Sequence, residues 1–166
     1  MLTRARRTVG KCGVICTAML LFCMATPVHA GYFFTAALDL STSNYHKAFA
    51  SYYSFLALWI YSQGGDGTGY AYQAYGEMNL AASYAYEAWQ QCTNGYQLDS
   101  SDINTYAINY TYYTYIFESN TADDLWYISQ QDVDYIGDAI AYGYVGGFYS
   151  SYAAFWVGMA CNGGVD

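Results

Sequence analysis

The sequence predicts an all-α protein, an antiparallel four-helix bundle built from two repeated helical hairpins. Three observations carry that prediction. Large apolar residues recur at three- and four-residue steps, which suits one face of a helix and not the strict alternation of a half-buried strand. Alanine is abundant, while the 166 residues hold a single proline. Glycine-rich breaks separate segments that are too long for strands. Tyrosine favours sheets, but its 22 copies do not alternate along this chain.

The first helix is expected from about Ser43 to Gln63, with Phe49, Tyr53, Leu56 and Ile60 on one face. The run Gly64-Gly65-Asp66-Gly67-Thr68-Gly69 ends it. The second runs from about Tyr70 to Thr93, with Tyr75, Met78, Ala82, Ala85 and Trp89 facing inward. Asn94-Gly95 stops it, because both residues tolerate the left-handed cap conformation. Asp99-Ser100-Ser101-Asp102 supplies N-cap oxygens for a third helix, on which Ile103, Tyr106, Tyr110, Tyr113 and Phe117 share a face. Ser119-Asn120-Thr121 reads as a break or kink, with Asp123 and Asp124 suited to a following N-terminus. The last helix runs from about Val133 to Ala160 and stops at Asn162-Gly163-Gly164.

A shift of 67 residues aligns two parts of the chain. Leu58-Trp59-Ile60-Tyr61-Ser62-Gln63 meets Leu125-Trp126-Tyr127-Ile128-Ser129-Gln130. Ala74-Tyr75-Gly76 meets Ala141-Tyr142-Gly143, Ser83 meets Ser150, and Trp89 meets Trp156. The pattern predicts repeat units at about 31–97 and 98–166, each too small to bury its own apolar face.

Residues 1–30 read as a cleavable signal peptide. Arg4, Arg6, Arg7 and Lys11 form a basic start, an apolar stretch follows, and Val28-His29-Ala30 offers small residues at the cut. The expected location is therefore exported: periplasmic, cell-surface or extracellular. Residues 31–166 form one domain, large enough for a real core. That domain keeps one cation, Lys47, against 13 carboxylates, a formal charge of −12 where the whole chain has −8. Such a surface repels nucleic acid and anionic lipid and draws cationic partners at long range. Of the cysteines, Cys92 and Cys161 remain after cleavage. In an oxidising compartment they are expected to pair, since the ends of the second and fourth helices share one end of an up-and-down bundle.

The densest aromatic cluster is Tyr110, Tyr112, Tyr113 and Tyr115, and Tyr142, Tyr144, Tyr149 and Tyr152 form a second candidate patch. A helix points such clusters in several directions, so some rings must be exposed, where tyrosine makes amphipathic contacts at low entropic cost. Ala139, Gly143, Gly147 and Ser151 make a ladder of small residues that would let another helix approach closely, within the bundle or from a second copy. Between Ala139 and Ala160 there is no charge, but four tyrosines and two serines make that stretch a poor membrane span.

Catalytic signals are few. His46 is the one histidine after residue 30, with no evident acid–base arrangement. Glu77 and Glu87 lie ten residues apart, too far to act as a carboxylate pair. Asp134 and Asp138 share a face but no Glu-x-x-His element accompanies them, so neither metal nor cofactor is expected. Gly64–Gly69 lacks the lysine of a phosphate loop.

Tyr142-Gly143-Tyr144-Val145 and Cys161-Asn162-Gly163-Gly164-Val165 resemble segments of small periplasmic immunity proteins, which neutralise secreted antibacterial effectors. The likeness spans residues 142–165, and other cysteines of that group are missing. The resemblance implies an inhibitor of a protein partner. Together these readings predict an exported, non-enzymatic module that binds a protein through a tyrosine-rich acidic surface, whose charge favours a basic partner. The alternative is a subunit that binds itself in a filament or matrix.

Overall fold

A computed structural model describes residues 28–162, with side chains from Gly31 onward. The expected signal peptide, residues 1–30, falls outside the described residues except for its last three positions, which form the first turn of a helix. Four long helices follow one another: α1 (Val28–Ser62), α2 (Thr68–Leu98), α3 (Asp102–Ser129) and α4 (Ile136–Cys161). A short 3-10 turn, Val133–Tyr135, leads into α4. Among the described residues there is no strand. Contacts join α1 to α2, α2 to α3, α3 to α4 and α4 back to α1, the last pair touching least. Helices α2 and α4 thus stand diagonally across the bundle.

Small residues build its core. On α2 the buried positions include Ala71, Ala74, Met78, Ala81, Ala85, Ala88, Cys92 and Gly95, which recur in alternating steps of three and four. On α3 the same rhythm runs through Asn104, Ala107, Thr111, Thr114, Glu118, Thr121, Leu125 and Ile128. On α1 it takes in Phe33, Ala36, Leu40, Ser43, Ala50 and Ala57. On α4 it takes in Ala139, Gly146, Ser150, Ala153, Val157 and Ala160. A mean step of 3.5 residues keeps a straight seam on one side of a slightly supercoiled helix, the geometry of bundle packing. Seams of Ala, Gly, Ser and Thr let the helices come close. Seam threonines Thr111, Thr114 and Thr121 return their hydroxyl protons to the carbonyls of Ala107, Tyr110 and Phe117, at 2.8, 2.8 and 2.7 Å.

This seam corrects the expected inward faces. Tyr106 and Tyr113 are exposed, and Ile103, Tyr110 and Phe117 are only half-buried. The seam of α3 lies one residue further along, at small and polar positions. Phe49 is exposed, and Tyr53, Leu56, Ile60, Tyr75 and Trp89 flank the seams of α1 and α2, whereas Met78, Ala82 and Ala85 are buried as expected. A search that follows large apolar residues finds the flanks, because here the largest side chains cover the grooves between helices.

Three boundaries also differ. Helix α1 starts well before Ser43, held by Phe33, Ala36 and Leu40 at seam spacing. Helix α2 continues through Asn94-Gly95 to Leu98. Gly95 serves close approach instead: a Cβ there would lie 2.6 Å from the ring of Phe33. Helix α3 is unbroken at Ser119-Asn120-Thr121 and ends at Ser129. Two boundaries agree with the sequence. The glycine run separates α1 from α2, with Gly64 at φ 75°, and Ser101 caps α3 by accepting from the Asn104 amide.

Two core clusters divide the bundle along its length. One joins Phe33 and Leu40 of α1, Cys92 of α2, Ala107 of α3 and Val157 of α4. The other joins Ala57 of α1, Ala71 and Met78 of α2, Leu125 and Ile128 of α3 and Ala139 of α4. The starts of α1 and α3 therefore lie with the ends of α2 and α4, as an up-and-down connectivity would place them. The aligned repeat positions share some environments and not others. Trp59 and Trp126 are both exposed, but Ala74 is buried where Ala141 is exposed, and Ser150 is buried where Ser83 is exposed.

The expected bridge between Cys92 and Cys161 is not formed. Cys92 is a free, fully buried thiol, while Cys161 is disulfide-bonded. The two belong to one cluster but to diagonal helices, and a disulfide needs Cα atoms within about 7 Å with converging Cβ vectors.

Candidate functional site

Three features of the bundle can carry chemistry: a polar layer at its waist, a belt of aromatic rings on one side, and a groove between α1 and α4.

The polar layer lies between the two apolar clusters. Glu118, a seam residue of α3, is 1% exposed. Its Oε2 accepts from Ser43 at 2.9 Å and its Oε1 accepts from the Lys47 ammonium at 2.8 Å. Beside this trio, Ser150 of α4 donates to Oδ1 of Asn44 at 2.8 Å. Every seam could have been apolar at this level, and a layer of paired polar groups fixes the axial register of α1, α3 and α4 against sliding. Sequence reading treated Lys47 only as a residual charge. Its place on the 3.5-residue rhythm of α1, four positions after Ser43, was the available signal.

His46 and Glu77 also meet. The imidazole Nδ1 lies 2.7 Å from Glu77 Oε2, and its ring stacks on Tyr84 at 5.6 Å. Histidine and carboxylate are thus a pair, which the sequence did not reveal because 31 residues separate them. The pair orients the imidazole across α1 and α2.

The aromatic belt joins the two predicted tyrosine patches. From Tyr115 it passes to Tyr86 and Trp89 of α2, then to Tyr112 and Tyr113 of α3. Tyr113 meets Tyr149 of α4 at 5.0 Å. Tyr149 is the hub, stacking on Phe117 at 5.3 Å and touching Tyr110 and Phe148. Tyr110 stacks on Tyr152, and Phe117 reaches Tyr142. Of the tyrosines singled out from the sequence, Tyr110, Tyr112, Tyr113, Tyr115, Tyr142, Tyr149 and Tyr152 belong to this array. Tyr144 stands apart, 83% exposed, at the edge of the groove.

The belt crosses a charge-free stretch of both helices, Ile103–Phe117 of α3 and Ala139–Cys161 of α4. Most of the aspartates gather instead toward the bundle ends, Asp66, Asp123, Asp124, Asp132, Asp134 and Asp138 at one and Asp39, Asp99 and Asp102 at the other, while exposed Glu87 of α2 stands beside Tyr86 at the edge of the belt. At the first end burial pushes the Asp124 carboxyl up to about 6, helped by the charges of Asp138 and Asp123. Its Oδ2 is buried without a hydrogen-bond partner.

The groove opens where α1 and α4 part, and holds about 500 Å³. Here the ladder of small residues takes an unexpected role. Steps of four residues turn by about 40° relative to a full circle, so the ladder walks off the seam. Ala139 is buried, Gly143 and Gly147 line the groove, and Ser151 is exposed. A Cβ on Gly143 would meet Thr121 at 3.7 Å, while one on Gly147 would meet nothing within 4 Å. Small residues here leave space, with no helix closing on Gly147.

Among the described residues no helix is long and apolar enough to cross a membrane, and no cluster of three or more metal-ligating side chains is present. Comparison with protein-family models, with curated proteins and with solved structures gives no match, so the likeness to immunity proteins rests on its short segments alone.

Proposed function

We propose that this protein is an exported, non-enzymatic binding module that engages a protein partner through the aromatic belt of α2, α3 and α4. The observation that carries this reading is the continuity of the ring array around Tyr149 across the charge-free stretches of α3 and α4. Tyr112, Tyr113, Phe148 and Tyr152 are each at least 39% exposed, enough to supply the rigid contact area on which interfaces depend. The carboxylates at the bundle ends would flank that contact and steer a basic partner toward it. An inhibitor of a cationic secreted protein has this character.

A second reading has its own observation. Tyr45, Phe49, Tyr52 and Trp59 of α1 are exposed at steps of four, three and seven, a heptad stripe that no other helix covers. Such a stripe suits self-association into a filament or matrix. The two readings separate in one experiment: light scattering of the purified chain across concentration, alone and with exported proteins of its source. A complex of fixed stoichiometry that weakens with salt and with Tyr113→Ala/Tyr152→Ala supports the binder. Open-ended growth of the chain alone, abolished by Phe49→Ser/Tyr52→Ser, supports the self-assembling subunit.

A further inference from the structure

We propose that the groove between α1 and α4 is a binding site for an uncharged, single-chain amphiphile, with its oxygen headgroup at Lys47 and its chain in the open half of the core. The walls are the core itself. Met78, Leu125, Ile128 and Ala139 belong to the second apolar cluster and also line the groove. This half of the bundle is therefore reached from outside along its own seams. Its volume of about 500 Å³ lies within the range of sites that enclose small molecules. The lining runs from Lys47 to Leu58 on α1, eleven steps or about 17 Å, and from Gly147 back to Ile136 on α4. Such a slot is long and mainly apolar, bounded at one end by Lys47 of the polar layer.

The headgroup follows from the charges. The Lys47 ammonium gives one proton to Glu118, and an ammonium carries three. Lys47 lines the groove and its side chain is 15% exposed, so its other donors are within reach of a ligand oxygen. Glu118 already balances the lysine charge, and both Glu118 oxygens are engaged. A carboxylate headgroup would bring an uncompensated negative charge into this layer of a strongly acidic protein. An alkylammonium headgroup would meet the lysine. A hydroxyl, aldehyde or ester oxygen accepts from Lys47 with no net charge buried.

Gly147 makes the test possible, because a side chain added there points into open space and replaces a helix-interior glycine. Decanol, decanoate and decylammonium would be titrated into the purified chain, with native mass spectrometry to count bound molecules and thermal unfolding to read the shift. The expected result is one equivalent of decanol and a raised melting temperature, with the two charged probes bound at least about tenfold more weakly. Gly147→Leu should melt no lower than the parent and lose at least about tenfold in decanol affinity through occupied volume. Gly143→Val, whose Cβ makes only ordinary contact, supplies a second filled variant should the first fail to fold. Decanol bound equally by the filled variants would overturn the site in favour of partition onto the aromatic belt. Decanoate bound as well as decanol would overturn the headgroup assignment, and absence of saturable binding would overturn the proposal whole.

Discussion

Lys47 and Glu118 form an ion pair at 2.8 Å across 71 residues of sequence, at seam positions of helices whose other seam residues are uncharged. Glu118 is 1% exposed, so either charge alone would be costly. Glu118→Ala should lower the unfolding free energy by about 3–5 kcal/mol, because it strands the lysine in the core. Lys47→Met combined with Glu118→Leu should recover most of that loss, since an apolar pair of similar volume is often neutral or better. Urea unfolding at neutral pH checks both, and a double variant no more stable than the single one would count against the pairing.

Two glycines of α2 should respond in opposite directions. Gly95→Ala drives a methyl to 2.6 Å from the Phe33 ring and is expected to cost about 1–3 kcal/mol by overpacking. Phe33→Leu in the same chain should relieve part of it. Gly76 is exposed in the middle of α2, and a Cβ there meets nothing within 4 Å. Gly76→Ala is therefore expected to stabilise by about 0.5–1 kcal/mol through helix propensity. Thermal unfolding of the two variants side by side reads the contrast.

The fold class was legible because long segments free of proline, parted by glycine runs, admit little besides helices. The core was not. Reading followed Tyr106, Tyr110, Tyr113 and Phe117, whereas the seam runs through Ala107, Thr111, Thr114 and Glu118, one residue further. Both series have helical spacing, and hydrophobicity chose the wrong one. A rule that follows small residues at a mean step of about 3.5 positions points to Ala107, Thr111 and Thr114 instead. The tyrosines of α3 and α4 stood out by density alone, but that they make one belt needed the pairing of α3 with α4, which spacing along one helix cannot supply. The Ser119-Asn120-Thr121 break failed for a local reason: Thr121 bonds back to Phe117 and stays helical.

Cys92 should behave as an inert thiol. It is fully buried, and burial pushes its ionisation up to about 12, against the opposing effect of the Thr111 hydrogen bond and with Asp39 adding to the rise. Thiolate is the reactive form, so a thiol reagent should not label Cys92 in the folded chain at neutral pH and should label it fully in urea. Peptide mapping without reduction should find no link between Cys92 and Cys161. Rapid labelling in the native state would contradict the packing of α2 against α3.

The pH dependence of stability should carry the mark of Asp124. Its Oδ2 is buried without a partner, and Asp123 and Asp138 face it with like charge. Its carboxyl is raised from 3.8 to about 6 in the folded chain. The folded state therefore holds the proton more tightly than the unfolded one. This contribution is fully present below the unfolded value and is lost as pH rises through about 6. The loss is at most about 3 kcal/mol, reduced by whatever water reaches the site. Burial and Glu87 raise Asp39 in the same direction, so the whole curve has more than one source. Asp124→Asn isolates the part in question. Unfolding free energy measured from pH 4 to 8 should fall in the parent and fall less in the variant, with the variant the more stable of the two above pH 7. Parallel curves would show that Asp124 is ionised at no cost in the fold, which would place a cation or a hydrogen-bond donor beside its Oδ2.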